Sequence, residues 1–233
     1  MKVGIMQPYF LPYVGYFQLI NEVDIFVLYD NIEYTKKGWI NRNNYLLNGR
    51  PYLFTIPLKK DSDYLNIEDR IISESFKKNK LLRKIKEAYN KAPCFKNIFP
   101  LIESIVNHKE SNLFKFIINS IYKICKNLEI NTKIIRSSHI EIDHGLKAEE
   151  KVISICKSLN ATTYINPIGG LELYDKRSFN EKNLDLIFLK ANLNIKYDQG
   201  FDVFVPNLSI LDLLMHLDKN EIKKILTEYK LIK

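Results

Sequence analysis

Lys2-Val3-Gly4-Ile5-Met6-Gln7-Pro8-Tyr9-Phe10-Leu11-Pro12, followed by Asp24-Ile25-Phe26-Val27-Leu28-Tyr29, decides the fold class. Lys2 to Met6 reads as a short strand, and the two prolines keep the chain out of a helix until after Pro12. Gly15 to Asn21 then reads as a short helix with Phe17, Leu19 and Ile20 turned inward. Asp24 to Tyr29 is a nearly continuous apolar run, the pattern of a parallel strand covered on both faces. Strand, loop, short helix and strand make a compact βαβ unit.

Working outward, Pro51 to Leu58 is a further expected strand with Asn48-Gly49 as the turn before it. Ser73 to Leu128 is helical almost throughout, with breaks expected near Pro93 and Pro100. Thr132 to Ile142 returns to strand, and Leu146 to Leu159 is an amphipathic helix burying Val152, Ile153 and Ile155. Ala161 to Ile165 and Leu184 to Leu189 are strands, and Pro167-Ile168-Gly169-Gly170 turns into a short helix. Ser209 to Leu217 and Glu221 to Tyr229 close the chain as helices. Strands alternating with helices predict an α/β fold, a mostly parallel Rossmann-like sheet flanked by helices. A single domain over 1–233 is expected, with a helical insertion at about 73–128.

Composition narrows the function classes. Hydrophobic residues make up 46% of the 233, which suits a packed core and excludes disorder as the main state. No apolar run reaches the ~18 residues that a membrane span needs. Met1 to Pro8 has no apolar signal-peptide core, so a cytoplasmic protein is expected. Cys94, Cys125 and Cys156 are odd in number and widely spaced, which argues against a disulfide framework or a zinc knuckle. The net charge of +8 owes much to Lys77, Lys78, Lys80, Arg83, Lys84, Lys86 and Lys91. No zinc finger, RNP pattern or basic heptad accompanies them, so neither a nucleic-acid partner nor a metal is expected.

The loops are where chemistry is expected, because open parallel sheets bind ligands beyond the carboxyl ends of their strands. Gln7 to Gly15, Asp30 to Arg42 and Asn166 to Gly170 each follow a strand, and the expectation is that all three converge on one edge. Arg42 and Lys37 have the chemistry to neutralise a diphosphate, Arg42 as a bidentate fork. Trp39 either stacks on a base or sugar ring or plugs the core. Gly169-Gly170 lets backbone amides approach a phosphate closely. In His139-Ile140-Glu141-Ile142-Asp143-His144, strand alternation sets His139, Glu141 and Asp143 on one face, which makes His139 or His144 a general-base candidate beside Asp30. The opposing reading is a solvated edge strand, and no third metal ligand is identifiable. Ser209 reads as a helix N-cap with Asp212 at the third position, like a capping box.

Met6-Gln7-Pro8-Tyr9-Phe10-Leu11-Pro12-Tyr13-Val14-Gly15-Tyr16-Phe17, Lys37-Gly38-Trp39-Ile40-Asn41-Arg42-Asn43, Tyr164-Ile165-Asn166-Pro167-Ile168-Gly169-Gly170 with Leu173-Tyr174, and Phe204-Val205-Pro206-Asn207-Leu208-Ser209-Ile210-Leu211-Asp212 together resemble the WbqC-like family. The matching stretches run through nearly the whole chain in the right order. The resemblance implies a setting in O-antigen and capsule, that is lipopolysaccharide and surface-polysaccharide, biosynthesis. It implies a transferase that moves an acyl or aminoacyl group, such as glycyl, to the amine of a nucleotide-linked amino sugar. The expected partners are that sugar and an acyl or aminoacyl carrier protein, and no cofactor is specified. The binding candidates are Gln7, Tyr9, Tyr13, Gly15, Tyr16, Lys37, Trp39, Asn41, Arg42, Asn166, Gly169, Gly170, Tyr174 and Ser209.

Two other readings stay open. HxGH-type nucleotidylyltransferases also run strand, proline-containing turn, x-x-Gly-x, helix and strand, and use a nucleoside triphosphate. Here Tyr13-Val14-Gly15-Tyr16 stands in the histidine positions, and tyrosine cannot carry their positive charge. The third reading is a non-catalytic module that binds sugar or nucleic acid.

Overall fold

Alternate residues of the first strand, β1 (Lys2–Met6), feed two different cores, because successive side chains of a strand point to opposite faces. Val3 and Ile5, with Val27 of β2 (Ile25–Leu28), join a cluster built on Ile153, Cys156 and Phe179. Phe26 and Leu28 point the other way, into a larger cluster with Phe17, Leu19 and Ile20 of α1 (Val14–Glu22). Each of these fully buried side chains contributes roughly 1.5–3 kcal/mol by leaving water. This two-sided burial explains the continuous apolar run in β2. The computed structural model describes residues 1–192 and 195–233.

The main sheet is six-stranded in the order β5-β2-β1-β6-β7-β8. Here β5 is Lys133–Arg136, β6 is Thr163–Pro167, β7 is Asp185–Ala191 and β8 is Tyr229–Ile232. The first five in this order pair parallel, and β8 pairs antiparallel with β7. Numbered by their order in the chain, the parallel strands run 3-2-1-4-5, the Rossmann order. The order reverses between β1 and β6, where the next two loops diverge to opposite faces. That gap is the topological switch point, where such sheets bind ligands.

Between β2 and β5 the chain makes a separate antiparallel hairpin, β3 (Arg42–Leu47) and β4 (Arg50–Thr55). Asn48 and Gly49 both have positive φ, +50° and +69°, as a type I′ turn requires. The strand expected at 51–58 therefore ends at Thr55 and lies outside the parallel sheet, with only Leu58 making a bridge to Ile72. Three helices follow: α2 (Lys78–Tyr89), α3 (Phe95–Val106) and α4 (Leu113–Leu128). Their apolar faces, including Ile85, Ile102, Phe116 and Ile121, belong to the same cluster as Phe17.

The expected break at Pro100 does not occur. Helix α3 runs through it, because burial of Ile102, Ile105 and Val106 outweighs one lost backbone bond. The break falls at 107–112 instead, and the Asn112 side chain caps α4 by accepting from Lys115 N at 3.0 Å.

The strand expected at 132–142 also stops early. It ends at Arg136, and Ser137–His139 forms a 3₁₀ turn. His139, Glu141 and Asp143 therefore do not share a strand face. Helices α5 (Ala148–Ser158) and α6 (Lys176–Asn180) cover the second face, and α7 (Ile210–His216) and α8 (Lys219–Ile225) join the first. β8 stands where the sequence reading ended a helix.

Candidate functional site

The first loop is anchored from three directions. Phe10 N donates to Ile40 O at 2.9 Å, which ties the loop to the Lys37–Arg42 segment. Leu11 is buried and holds φ at +47°, a left-handed conformation costly for leucine. Its carbonyl accepts from Asn43 Nδ2 at 2.8 Å and from Ser209 Oγ at 2.7 Å. Ile210 N donates to Pro12 O at 2.8 Å. Two of the other motif segments, 37–43 and 204–212, thus converge on the backbone of residues 10–12.

Some candidates are consumed by this anchoring. Ser209 is fully buried, and its hydroxyl also caps α7 by accepting from Leu211 N at 3.2 Å. Tyr16 is buried and donates to Gln7 O at 3.0 Å; burial, with Tyr9 beside it, pushes its hydroxyl far above the usual tyrosine range. Tyr13 lies with its ring over Gly15, so close that an added Cβ there would stand 2.4 Å from it. A larger residue at 15 would displace that ring. Tyr13 also lines a small cavity of about 40 Å³ with Tyr197 and Phe204. Tyr9 donates to Gln7 Oε1 at 3.3 Å, and both stay half-buried at the end of β1. Burial pushes the Tyr9 hydroxyl up to about 12, so it is a neutral donor.

Beyond β2, Asp30 is the centre of a dense node. Its Oδ1 accepts from Ser137 Oγ at 2.8 Å and Ser138 N at 3.0 Å. Its Oδ2 accepts from Arg136 Nε at 2.6 Å and Ser138 Oγ at 2.7 Å. Burial alone would raise its pKa, but the hydrogen bonds from Ser138, Ser137 and Arg136 outweigh it and hold the carboxyl below the ordinary value. A carboxylate so occupied makes a poor proton acceptor, which corrects its reading as a base and makes it a positioning group. Arg136 also reaches Glu68 at 2.7 Å and lies 4.7 Å over the Phe114 ring. Glu68 is shifted the other way, upward, by burial and then by the Asp30 charge.

The histidines separate. His139 is exposed on the outer flank of β5, in a groove with Tyr122, Glu141 and Ser158, away from the switch point. His144 is exposed but returns to the rim, its Nδ1 2.8 Å from Asn31 Nδ2.

Lys151, which the sequence reading missed, is 4% exposed in the first turns of α5. Its Nζ donates to Asn31 O at 3.3 Å and lies 5.4 Å from the Tyr29 ring centre. Burial lowers its pKa, against the charges of Asp30 and Glu68. The available signal was periodicity: Lys151 is four residues before buried Ile155, on the same helix face. Arg136 and Glu68 carried no comparable signal, since only tertiary structure brings them to Asp30.

Trp39 is 50% exposed, which settles the choice against a core plug, and Arg42 lies 6.0 Å from its ring centre. Arg42 Nε donates to Gly38 O at 2.8 Å. Lys37 is exposed, at positive φ. Asn41 is buried and its amide is spent on the fold, accepting from Tyr34 OH at 2.8 Å and donating to Ile56 O at 2.7 Å.

Near the end of β6, Asn166 accepts from Tyr164 OH at 3.0 Å and donates to Pro167 O at 3.2 Å. A Cβ on Gly170 would stand 1.9 Å from Asn166 Nδ2, so the glycine is what lets Asn166 sit there. Gly169 is exposed, with nothing within 4 Å of the corresponding position. Residues Ile168–Leu173 form a 3₁₀ helix, and half-buried Tyr174 folds back within 3.4 Å of Tyr164 OH. Tyr29 neighbours Tyr174, and burial holds its hydroxyl at about 12.

The structure therefore gathers Gln7, Tyr9, Asn166, Gly169, Gly170 and Tyr174 at the ends of adjacent β1 and β6, with Asp30 and His144 on the β2 side. The Phe10–Ile40 bond ties the segment that carries Trp39 and Arg42 to the first loop. Burial pushes the Cys125 and Cys156 thiols up to about 12, so neither is a ready nucleophile. Among the described residues no His, Cys, Asp or Glu group is arranged to hold a metal ion, and no helix is long and apolar enough to cross a membrane.

Comparison with known proteins agrees with the motifs. An uncharacterised protein of Mycobacterium tuberculosis, Rv1507c, is 28% identical over 218 residues, covering 93% of this chain and 94% of that protein. No solved structure matches. The model of the WbqC-like protein family matches residues 7–224, and the chain belongs to that family.

Proposed function

We propose that this protein is a transferase of bacterial surface-polysaccharide biosynthesis, acting in the cytoplasm on a nucleotide-linked amino sugar. It moves an acyl or aminoacyl group, glycyl being the simplest case, from an activated carrier to the sugar amine. The observation that carries the reading is the strand reversal between β1 and β6, flanked by Gln7–Tyr9 on one side and Asn166–Tyr174 on the other. Open Gly169 leaves backbone accessible to a phosphate, and exposed Trp39 beside Arg42 offers a ring face and a cation to a nucleotide.

In the step itself, the amine lone pair attacks the carbonyl carbon of a thioester or ester, and the bond to the carrier breaks. A base takes the amine proton, an effect worth roughly 10²–10⁴-fold. Asp30, with both oxygens occupied, holds Arg136 and the Ser137–Ser138 turn in place. Nucleotidyl transfer is disfavoured because the Tyr13 ring covers Gly15 at the start of α1, where a triphosphate would need access.

The test is to incubate the protein with nucleoside-diphosphate amino sugars and aminoacyl or acyl thioesters, then follow product mass. A gain equal to the acyl group on the sugar supports the reading. Pyrophosphate release from a nucleoside triphosphate, with no acylated sugar, refutes it.

A further inference from the structure

Residues 36–91 hold 14 Lys and Arg against 6 Asp and Glu, a surplus equal to the +8 of the whole chain, so the remaining residues balance. Within that span the cations concentrate on α2. Its buried face is Leu81, Leu82, Ile85 and Tyr89. Its exposed side carries Lys80, Arg83, Lys84 and Lys86, with exposed Lys77 just before the helix and Lys91 just after it. Glu87 is the single acid of the helix. Among the described residues none of these six cations pairs with a carboxylate, whereas exposed Lys219 and Lys223 both hold Glu129.

This placement works against the helix. Lys77 stands at the N-cap with no side-chain cap bond, and the first turn holds no acid. Cations there oppose the helix dipole, and Lys80 with Lys84 sets like charges four residues apart. A groove of about 510 Å³ at the start of the helix is lined by Lys77, Lys78, Lys80 and Arg83, and by no carboxylate among the described residues. A surface that costs stability and returns no contact to the fold is the kind kept for a partner. It also connects to the rim. Ser73 N donates to Pro57 O at 2.8 Å and Lys59 N to Ile71 O at 2.9 Å, which sets exposed Lys59 and Lys60 beside the segment leading into α2. Leu46 N donates to the hydroxyl of Tyr89, the last residue of α2, at 2.9 Å. Leu46 is four residues along β3 from Arg42, about 13 Å, so α2 stands one short strand from Arg42 and the exposed Trp39 ring.

We infer that the exposed face of α2, with Lys59 and Lys60, docks a small acidic protein that carries the acyl or aminoacyl donor on a flexible thioester arm. What the partner carries rests on the transferase reading; its acidity rests on the charge distribution alone. A donor carrier must leave after each delivery, and attraction between charges without apolar anchors gives fast, reversible, salt-sensitive docking. An extended arm covers the strand length from α2 to Arg42. Two other polyanions fit this face less well. An anionic membrane needs an apolar anchor, and Leu81, Leu82, Ile85 and Tyr89 are spent in the core. Single-stranded nucleic acid needs stacking rings, and the exposed positions of α2 are cations, Asn79 and Glu87.

The probe is a purified acidic acyl carrier protein bearing an acylated phosphopantetheine arm, and its Kd is read by calorimetry. Lys80→Glu combined with Lys84→Glu should weaken binding about tenfold or more at low salt, and the difference should shrink at about 0.5 M salt. The unfolding midpoint of that variant should hold or rise, because acids replace cations in the first half of α2. Lys182→Glu, at an exposed position just before β7, should bind as wild type does. No saturable binding, an unchanged Kd in the double variant, or equally tight binding of anionic phospholipid vesicles or a single-stranded oligonucleotide overturns the proposal. Transfer is read separately. The double variant should lose rate with the carrier-borne donor and keep it with free acyl-pantetheine, which needs no docking; equal loss with both donors overturns the docking role. If neither donor acylates the sugar, the transferase reading falls, and carrier binding that the double variant loses still supports the docking face.

Discussion

Replacing Ser209 by alanine probes how the first loop is held. The hydroxyl makes two bonds, donating to Leu11 O at 2.7 Å and accepting from Leu211 N at 3.2 Å, and no part of it meets solvent. Loss of the helix cap costs about 1 kcal/mol. Loss of the bond to Leu11 costs about 1 kcal/mol more, rather than a full desolvation penalty, because Asn43 Nδ2 still satisfies that carbonyl at 2.8 Å. The sum is about 2 kcal/mol, or a drop in Tm of about 4–8 °C for a chain of this size. Leu11 also resists its left-handed φ, so Ser209→Ala combined with Asn43→Ala should cost more than the two single changes added together, as expected when two groups restrain one strained residue. Urea unfolding of the single and double variants reads both quantities. A Ser209→Ala change below 0.5 kcal/mol, or strict additivity, would refute the view that these side chains hold the loop together.

Further predictions concern the rim. Trp39→Ala should leave stability within about 0.5 kcal/mol, since the ring is half exposed, yet weaken nucleotide binding measured by calorimetry. Gly170→Ala should displace Asn166 and lower stability, whereas Gly169→Ala should fold normally and lose ligand affinity; thermal unfolding beside a binding assay separates them. Lys151→Met should be neutral or stabilising, because a buried ammonium with a lowered pKa opposes folding at neutral pH, while any ligand that pairs with Lys151 binds less well. Asp30→Asn should cost about 2–3 kcal/mol, less than a fully buried pair because Arg136 is partly exposed and keeps Glu68. The folded Asp30 pKa is depressed, so its contribution is fully present above about pH 4 and lost as pH falls through the folded value. Unfolding free energies of wild type and variant should therefore converge in acid.

The central sheet was legible because burial on both faces leaves an unbroken apolar run in β2, and because Pro8 and Pro12 mark the loop that follows β1. The converging loops followed from topology, since parallel strands put every following loop at one edge. What failed was local. Alternation at His139–Asp143 looked like a strand, but the hydroxyls of Ser137 and Ser138 find a better acceptor in buried Asp30 and turn the chain. Proline at 100 looked like a stop, but an amphipathic face carried the helix through it. Lys151, Arg136 and Asp212 were hidden for a shared reason: a charge in a helix or strand looks solvated until tertiary packing supplies its partners. Asp212 in particular lies in a motif that already had a sufficient explanation as a cap, while its real partners come from residues 89, 197 and 199.

Backbone amide shifts of isotopically labelled protein, recorded while a nucleoside diphosphate is added, test the switch-point site most directly. Perturbations are expected to concentrate at the amides of Gln7, Tyr9, Phe10, Asn31, Trp39, Gly169 and Gly170. A saturable response elsewhere, with those amides unmoved, would contradict the switch-point assignment.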